Sequence, residues 1–416
     1  MSKEAKKMSK GAITLTIVFE GMNLNRDEGV GRNIQTLKKL HRGDGLVYTF
    51  MSRQALRYSI SKKLIEEFGW KETEVTRRGE GERKTNQFDM SKANIIEYEE
   101  MDFFGYMYTI RGENAFVRSA VCKLTPAISL EKFSFNQSFN ANHEMVKRAI
   151  KCGEEGVPNP WQTEDHLSLY KYTFVIDLDK IGKMDDKEKK IVLENEEEAK
   201  KFLKGYEKYM NDKDKEKCSK LTKGEYKLKW NENDIGKIIL KNTTEIEIEI
   251  NLPVEEKIRR IVDFLKAIKT LSRGIQGNIN SLAPLFVIGG IILAKTPFAH
   301  PLVELVPGTS RKLNKGMIDY CEKILKESSI VIKTEQCLEI KAAKGNKDSQ
   351  DSCPEQKESN QGDTEYIVKG IVKDKFENGN EFNEWKDPKD AIDELIEFIK
   401  SDNFKKHLSN YESSKN

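Results

Sequence analysis

The sequence predicts an α+β fold with a small ferredoxin-like or RRM-like core, a sheet in the order βαββαβ with helices on one face. The first observation is an alternating strand pattern followed by a capped helix within residues 12–64. The second is a pair of strand patterns at 116–130 and 166–178, and the third is a helix followed by a strand over 253–294. An RRM-like domain is much shorter than 416 residues, so most of the chain must form large insertions.

The first strand and the first helix, within residues 11–70, have clear signals. Residues 13–19 alternate with the period of two that is typical of a half-buried strand. Ser52 is predicted to cap a helix whose apolar residues recur every four positions, and Gly69 is predicted to end that helix.

A long loop rich in glycine and in cationic residues connects this strand to this helix. Glycines allow backbone amides to approach a ligand closely, and amides at the N-terminus of a helix favour an anion. Arg53 and Arg57 lie one helical turn apart, so both can face the same run of phosphates. A solvated basic loop is the simpler interpretation of the same composition. The cationic residues of the loop are Arg26, Arg32, Lys38, Lys39 and Arg42.

Positive charge is concentrated near the N-terminus of the chain. The whole sequence has a net charge of +3, but residues 1–63 contain 13 Lys and Arg against 5 Asp and Glu, which gives +8 and leaves −5 for the remainder. This uneven distribution predicts a local binding site for a polyanion rather than a general affinity for anions.

The cysteines and the apolar segments predict a soluble, cytoplasmic protein without a metal or a cofactor. Six cysteines are widely spaced, and no histidine lies at a metal-ligand spacing, which argues against disulfides and zinc and fits a reducing cytosol. The N-terminus is rich in lysine but lacks the apolar core of a signal peptide. The most apolar segment, residues 282–294, is too short to span a membrane.

The insertions are predicted mainly from composition. Residues 71–110 are polar, with a basic cluster that is typical of a solvated hairpin. Residues 111–180 hold two core strands, separated by a polar segment at about 131–165 that carries three phenylalanines. The second of these strands has one aromatic face, which we interpret as core rather than as a base-stacking platform. Residues 181–250 include a mixed-charge run, for which we expect a solvent-exposed helix.

The last third of the chain has three predicted parts. Residues 251–340 hold the second core helix, which begins at Pro253, a glycine loop and the last core strand. Residues 341–365 contain almost no apolar side chains, so we expect a disordered linker. Residues 366–416 show a final strand and helix.

Several short motifs, in a consistent order, resemble one protein family. They are Asn25-Arg26-Asp27, the helix start at 52–57, residues 102–107, the strand end at 126–130, the strand at 170–178 and the glycine loop at 274–277. Together they resemble the backbone subunit, of the RAMP superfamily and its DevR branch, of the type I-B CRISPR surveillance complex (Cascade). The resemblance covers about residues 12–295.

The resemblance implies a non-catalytic, RNA-binding structural subunit. Several copies would polymerise as an oligomeric filament along the spacer of the CRISPR guide RNA (crRNA) and present its bases for pairing with invading DNA. The implied partners are the crRNA, the target DNA by way of the guide, further copies of the chain and other Cascade subunits. The segment at 131–165 would be a thumb-like hairpin that reaches the next subunit and wedges between bases, and 71–110 would be a finger-like insertion.

The predicted RNA contacts combine the basic loop with positions that match the family. Cations and backbone amides bind phosphates, polar groups bind sugars, and apolar side chains separate base steps. Met107 matches an apolar position near the guide, although a core methionine fits equally well. Gln276 stands where the family has a second cation in the phosphate-binding glycine loop. The predicted RNA-binding residues are Arg26, Arg32, Arg42, Ser52, Arg53, Gln54, Arg57, Met107, Arg273, Gly274, Gln276 and Gly277.

The main alternative function is an endoribonuclease that processes CRISPR transcripts through His41. This histidine lies in the basic loop, where it can act as a general base toward a 2′-hydroxyl, and a sister family with this fold often uses such a residue. Asp27 and Asp44 can support metal-assisted cleavage, whereas Gly29-x-Gly31 is too short a motif for a nucleotide site. A stand-alone RRM-like RNA-binding protein is a third possibility.

Overall fold

The structure is a computed structural model. It describes residues 10–27, 33–78, 84–110, 115–184, 189–309, 311–329, 332–333, 363–364, 367–377 and 379–409. Arg32, Gly29-x-Gly31 and most of the predicted linker at 341–365 lie outside the described residues. Within those residues, no helix is both long enough and apolar enough to cross a membrane.

The strands and helices of the described residues are numbered in chain order. Strands β1 to β24 are Ala12–Met22, Arg26–Asp27, Ile34–Leu37, Lys39–His41, Val47–Met51, Val75–Arg78, Thr85–Phe88, Tyr106–Thr109, Ala115–Arg118, Cys122–Leu124, Ala127–Ser129, Gln137–Ala141, Pro160–Glu164, Leu167–Asp177, Lys190–Val192, Gly224–Trp230, Asn233–Leu240, Glu245–Ile250, Ser272–Ile275, Asn278–Ser281, Phe286–Ile292, Ile332–Lys333, Asp363–Thr364 and Ile367–Ile371. Helices α1 to α9 are Arg53–Phe68, Glu99–Phe104, His143–Lys151, Glu196–Lys204, Asp212–Ser219, Val254–Lys269, Lys315–Ser328, Pro388–Lys400 and Asp402–Ser409.

The central sheet has the predicted βαββαβ topology. Its strand order is β24-β21-β1-β14-β11-β5-β4, with β10 also pairing with β14, and all of these pairs are antiparallel. In chain order, α1 lies between β1 and the strands β10 and β11, which pair with β14, and α6 lies between β14 and β21. The four core strands therefore lie in the order fourth, first, third, second of a ferredoxin-like sheet, and the predicted α+β fold is confirmed.

Helices α1 and α6 cover one face of this sheet and pack against each other. Ser52 caps α1, since its Oγ accepts a hydrogen bond from the Ala55 N–H at 3.2 Å, and Gly69 ends the helix with a φ of 70°. Leu56 and Leu64, on the face of α1 that is turned toward the sheet, are fully buried. Burial of one such side chain contributes about 1.5–3 kcal/mol, so the cap and the apolar stripe together fix where α1 begins and how it faces the sheet.

The aromatic face of β14 belongs to the core, as predicted. Tyr170, Tyr172 and Phe174 are each at most 1% exposed, and Phe174 packs edge-on against Phe264 of α6 with ring centroids 4.9 Å apart. Phe19 of β1 stacks on Tyr170. These rings are enclosed between the sheet and the helices, so they are closed to a nucleobase.

The opposite face of the sheet is also covered, and the prediction of helices on one face is wrong. Helix α7 packs on β21, and Phe286 of β21 stacks on Trp385 with ring centroids 5.4 Å apart. The half-buried pattern predicted for β1 is wrong for the same reason. Thr16 is fully buried, and its hydroxyl is hydrogen-bonded to that of Thr173 at 2.7 Å. A threonine whose hydroxyl has a partner on the neighbouring strand can be buried, but in the sequence it looks like a residue that faces solvent.

The insertions at 71–110 and 181–250 share a second hydrophobic core. Strands β15, β18, β17 and β16 form an antiparallel sheet, and α4 packs with it against the 90–116 segment. The mixed-charge run is not a solvent-exposed helix as expected, because Phe202 and Leu203 of α4 are 1% exposed and Phe202 contacts the ring of Phe116. Charged side chains occupy only its outer face, where Lys201 pairs with Glu197.

A buried ionic network joins this second core to α6. The Asp102 carboxylate, fully buried, accepts hydrogen bonds from Arg118, from Arg260 at 2.7 Å and from the Gly182 N–H at 3.0 Å. Arg260 also donates to the Ile95 carbonyl at 3.0 Å. Because each charge has a partner, the network holds the insertion in one orientation on the core.

The remaining elements project from the core or close its C-terminal side. Strands β12 and β13 pair as an antiparallel hairpin, and α3 lies in the segment that connects them. Strand β13 also pairs in parallel with β3. Residues 363–364, at the end of the predicted linker, form β23 and pair with β22, so at these two positions the prediction of disorder is wrong.

Candidate nucleic-acid interface

The start of α1 is an unneutralised positive helix end. Among the described residues, the first turn of α1 contains no acidic side chain, and Arg53 and Gln54 are exposed there. The Ser52 N–H donates to the Asn25 Oδ1 at 2.9 Å, which fixes the helix start beside the segment that follows β1. Free amides, the helix dipole and an exposed guanidinium therefore favour an anion at this position.

Arg57 lies one turn further along α1. Its guanidinium is 5.0 Å from the centre of the Phe104 ring, within the range of a cation–π contact. Burial lowers the pKa of Arg57, and the neighbouring Glu100 carboxylate acts in the opposite direction. Arginine stays charged at neutral pH despite such a shift, so Arg57 adds a positioned charge beside Arg53.

Arg273 connects the hairpin of β19 and β20 to α1. Its Nε donates to the Leu24 carbonyl at 2.9 Å, and its Nη1 donates to the Ser59 hydroxyl at 2.9 Å. Burial lowers the pKa of Arg273. The side chain of Arg273 therefore holds the hairpin against α1, and its positive charge adds to the positive potential of the surface at the start of α1.

Gln276 and Gly277 form the exposed turn of this hairpin. Both have positive φ, 48° and 84°, as a two-residue type I′ turn requires. A Cβ at Gly274 or at Gly277 would meet no heavy atom within 4 Å, so a ligand can approach this backbone closely. Asn280 of β20 binds both backbone groups of Met22, at 2.8 and 3.0 Å, and thereby places the turn at the end of β1.

Arg26 lies beneath the same surface, in a cleft that Gln276 also lines. Its Nη1 donates to the Glu164 carbonyl at 2.7 Å and to the Gln35 carbonyl at 3.2 Å. Burial lowers the pKa of Arg26, whereas the carboxylates of Asp165 and Glu164 act in the opposite direction. The structure thus brings Arg26, the start of α1 and the β19–β20 turn to one end of β1.

Arg42 lies apart from this surface, and Met107 lies on a separate two-stranded ribbon. Arg42 donates to both carboxylate oxygens of Glu304, at 2.7 and 3.3 Å, and that hydrogen bonding raises the pKa of Arg42. Arg42 and Ser52 lie at opposite ends of β5, which spans about 17 Å at 3.4 Å per residue. Met107 is 64% exposed and lies across from Val117 in the β8–β9 ribbon, so the alternative of a core methionine is wrong.

Two residues at the base of the thumb-like segment, Trp161 and Asn140, line the cleft but are not among the RNA contacts predicted from the sequence. Trp161 of β13 lines the cleft opposite Gln276, and Asn140 is its partner on β12. An exposed tryptophan after Pro160 in a polar segment was the available signal. Asn278 and Ile279 of β20 line the same cleft although they lie more than a hundred residues later in the chain, and no local pattern indicates this proximity.

The residues considered for catalysis do not form a cluster that could hold a metal. His41 is exposed at the end of β4. The Asp44 carboxylate accepts hydrogen bonds from the Leu46 N–H at 2.9 Å and from the Tyr48 hydroxyl at 2.7 Å. In the described part of the chain, no three His, Cys, Asp or Glu side chains are arranged to bind a metal ion.

Comparison with known proteins identifies one family over most of the chain. Residues 13–316 match the family model described as "CRISPR-associated negative auto-regulator DevR/Csa2". A solved "CRISPR RNA-guided surveillance complex, pre-nicking" contains a chain that is 10% identical, with a TM-score of 0.38 over 76% of this chain and 87% of that one. A second, "CRISPR RNA-guided surveillance complex", is 10% identical, with a TM-score of 0.36 over 76% and 82%. No curated protein matches the sequence.

Proposed function

Because the chain belongs to the DevR/Csa2 family of CRISPR-associated proteins, we propose that it is a non-catalytic backbone subunit that binds the guide RNA of a type I-B Cascade complex. Copies of the chain polymerise along the crRNA spacer, associate with other Cascade subunits and present the guide bases to invading DNA. The observation that supports this proposal best is that Arg26, the start of α1 and the β19–β20 turn meet at one end of β1.

This arrangement suits a sugar–phosphate chain rather than a folded partner. Its donors are backbone amides and guanidinium groups, which bind phosphate without regard to sequence. Arg53 and Gln54 are exposed on α1, and Gln276 and Gly277 are exposed on the neighbouring turn. A single strand can pass between these two elements with its phosphates toward α1, and such binding tolerates any spacer sequence.

The thumb-like segment supplies the apolar side chains that the proposal needs. Phe135 and Phe139 are 77% and 67% exposed, and α3 buries none of its side chains although it is strongly amphipathic. Exposed apolar side chains of this kind are usually covered by a partner. We assign this segment to contacts with the guide RNA and with the next copy of the chain.

The proposal is tested by the RNA that accompanies the protein. A tagged chain is purified from its native cells, and the bound RNA is extracted and sequenced. Spacer RNAs flanked by CRISPR repeat sequence are the expected result. Recovery of a broad sample of messenger RNAs would favour a stand-alone RNA-binding protein, and recovery of no RNA would contradict the proposal. Arg53→Glu is the matched variant, because Arg53 is exposed and its substitution leaves the core intact.

A further inference from the structure

We propose that the cleft between the β19–β20 hairpin and the base of the thumb-like segment is a nucleobase pocket in which Trp161 stacks on one base. This inference rests on the proposed RNA-binding function and specifies which part of the RNA the cleft holds. The cleft has a volume of about 720 Å³ and is lined by Met22, Arg26, Trp161, Gln276, Asn278 and Ile279, among others. That volume is within the range of small-molecule sites and accommodates a nucleotide.

The walls of the cleft are fixed before any ligand binds. Asn23 donates to the Asp165 carboxylate at 2.6 Å and accepts a hydrogen bond from the His166 N–H at 2.9 Å, which joins the end of β1 to the thumb-like segment. Ser138 donates to the other oxygen of Asp165. On the opposite side, Asn280 holds the β19–β20 hairpin to Met22. Preformed walls reduce the entropy lost on binding.

Trp161 is placed as a stacking surface rather than as part of a core. It is 37% exposed and belongs to none of the three hydrophobic clusters of the described residues. Its indole N–H makes no hydrogen bond to another described residue, and its neighbours on β13 and β12 are Pro160 and Asn140. A large ring of this kind on a short surface strand contributes little to folding, whereas an aromatic surface stacks on any base.

Carboxamides with unused hydrogen-bonding groups line the same cleft as this ring. The side chains of Gln35, Gln276 and Asn278 make no hydrogen bond within the described part of the chain. Each carboxamide offers donors and an acceptor, and rotation exchanges their positions. Such groups match the edge of any of the four bases, so the pocket would hold a base without selecting its identity.

The charge of the cleft favours a neutral base over a phosphate. Its charged lining residues are Arg26 and Asp165, which have opposite charges. The Arg26 guanidinium also donates to the backbone carbonyl of Glu164. Phosphate is favoured instead at the start of α1, which has exposed cations and no acid in its first turn. The two surfaces therefore divide one nucleotide between them, with the phosphate on α1 and the base in the cleft.

The pocket is tested with a short single-stranded RNA that carries 5-iodouridine. Irradiation of the complex is expected to cross-link the RNA to Trp161, mapped by mass spectrometry of the digested protein. Trp161→Ala is expected to weaken RNA binding about 5- to 150-fold, the range for loss of one base–aromatic stack. Trp161→Phe should keep most of the affinity. Tyr320→Ala, which removes an exposed aromatic ring of α7 that also lies outside the hydrophobic clusters, is the matched control and should bind as tightly as the wild type.

The possible outcomes separate this pocket from the function on which it rests. If the wild type binds the RNA but Trp161→Ala binds equally well and cross-links map elsewhere, the pocket is refuted and RNA binding stands. If the wild type does not bind RNA, both proposals fail. Circular dichroism of Trp161→Ala should match that of the wild type, because Trp161 is outside the hydrophobic clusters. If Trp161→Ala loses its fold and Trp161→Phe binds RNA equally weakly, Trp161 acts through folding and the pocket is also refuted.

Discussion

The carboxamide oxygen of Asn25 accepts a hydrogen bond from the backbone N–H of Ser52 at 2.9 Å, across 27 positions of the chain. Ser52 in turn caps α1. The segment after β1 and the first turn of α1 are therefore one rigid unit, and the proposed phosphate surface depends on their relative position.

Asn25→Ala should lower the free energy of unfolding by about 0.5–1.5 kcal/mol, since it removes the hydrogen bond from the Ser52 N–H and a longer one that Asn25 donates to the Arg26 carbonyl at 3.3 Å. It should also weaken RNA binding, because α1 is no longer held in place. Asn25→Asp keeps the acceptor oxygen, so stability should be retained while the added negative charge weakens RNA binding. Urea denaturation and fluorescence anisotropy measure the two effects. Equal RNA affinity in all three proteins would contradict this role of Asn25.

Arg42→Ala should affect stability and leave RNA affinity unchanged. Arg42 is bound to Glu304, which also accepts a hydrogen bond from the buried Lys171 at 2.7 Å. Arg42→Ala removes one of the two cationic partners of Glu304, which should lower the free energy of unfolding by about 1 kcal/mol. Arg53→Ala should show the reverse, with unchanged stability and weaker RNA binding. If Arg42→Ala instead weakens RNA binding at unchanged stability, Arg42 is a phosphate contact.

His300 should make folding sensitive to mild acid. Burial lowers its pKa from 6.5 to about 4, and the nearby charge of Lys171 acts in the same direction. The unfolded chain therefore binds a proton between pH 6.5 and 4 that the folded protein does not, so the free energy of unfolding falls as pH decreases through this range. His300→Asn keeps an acceptor for the Thr173 hydroxyl and should flatten the decrease.

The control for His300 is His143→Asn, because His143 is exposed on α3. Urea denaturation from pH 7 to pH 4 measures all three proteins. His300→Asn and the wild type losing stability in parallel over this range would show that His300 does not carry the effect.

The chain should bind CRISPR repeat RNA without cutting it. His41 is exposed at the end of β4, and the described residues place no metal-binding cluster there. Incubation with labelled repeat RNA followed by denaturing electrophoresis should show intact RNA for the wild type and for His41→Ala. Cleavage by the wild type that disappears in His41→Ala would establish the endoribonuclease instead.

The sequence predicts the core well because its signals are local. The alternation in β1, the cap at Ser52 and the stop at Gly69 each depend on a few neighbouring residues. The second core was not predictable in this way, since its apolar side chains come from two separate insertions and are sparse among charges in each. Phe202, for example, contacts Phe116 of β9, a residue that the sequence pattern assigned to a strand of the central sheet.

The candidate site shows the same division. Exposed residues at the start of α1 follow from the helix signal. The sequence could not indicate that Arg42 pairs with Glu304, 262 positions away, and the phosphate contact of Arg42 stays a prediction. The sequence likewise could not show that the guanidinium of Arg273 donates hydrogen bonds to Leu24 and Ser59, because these residues come close to Arg273 only in the folded chain.

The salt dependence of RNA affinity tests the central claim most directly, namely that the cations at the start of α1 bind the phosphates of the guide. Affinity for a single-stranded RNA is measured from low to high salt for the wild type, Arg53→Glu, Arg57→Glu and the control Lys62→Glu, which changes the same charge further along α1. Each lost phosphate contact should reduce the slope of log affinity against log salt by about 0.7. Weaker binding with a smaller slope for the two arginine variants, and near wild-type behaviour for Lys62→Glu, is the predicted result. Unchanged affinity and slope in both arginine variants would contradict the account.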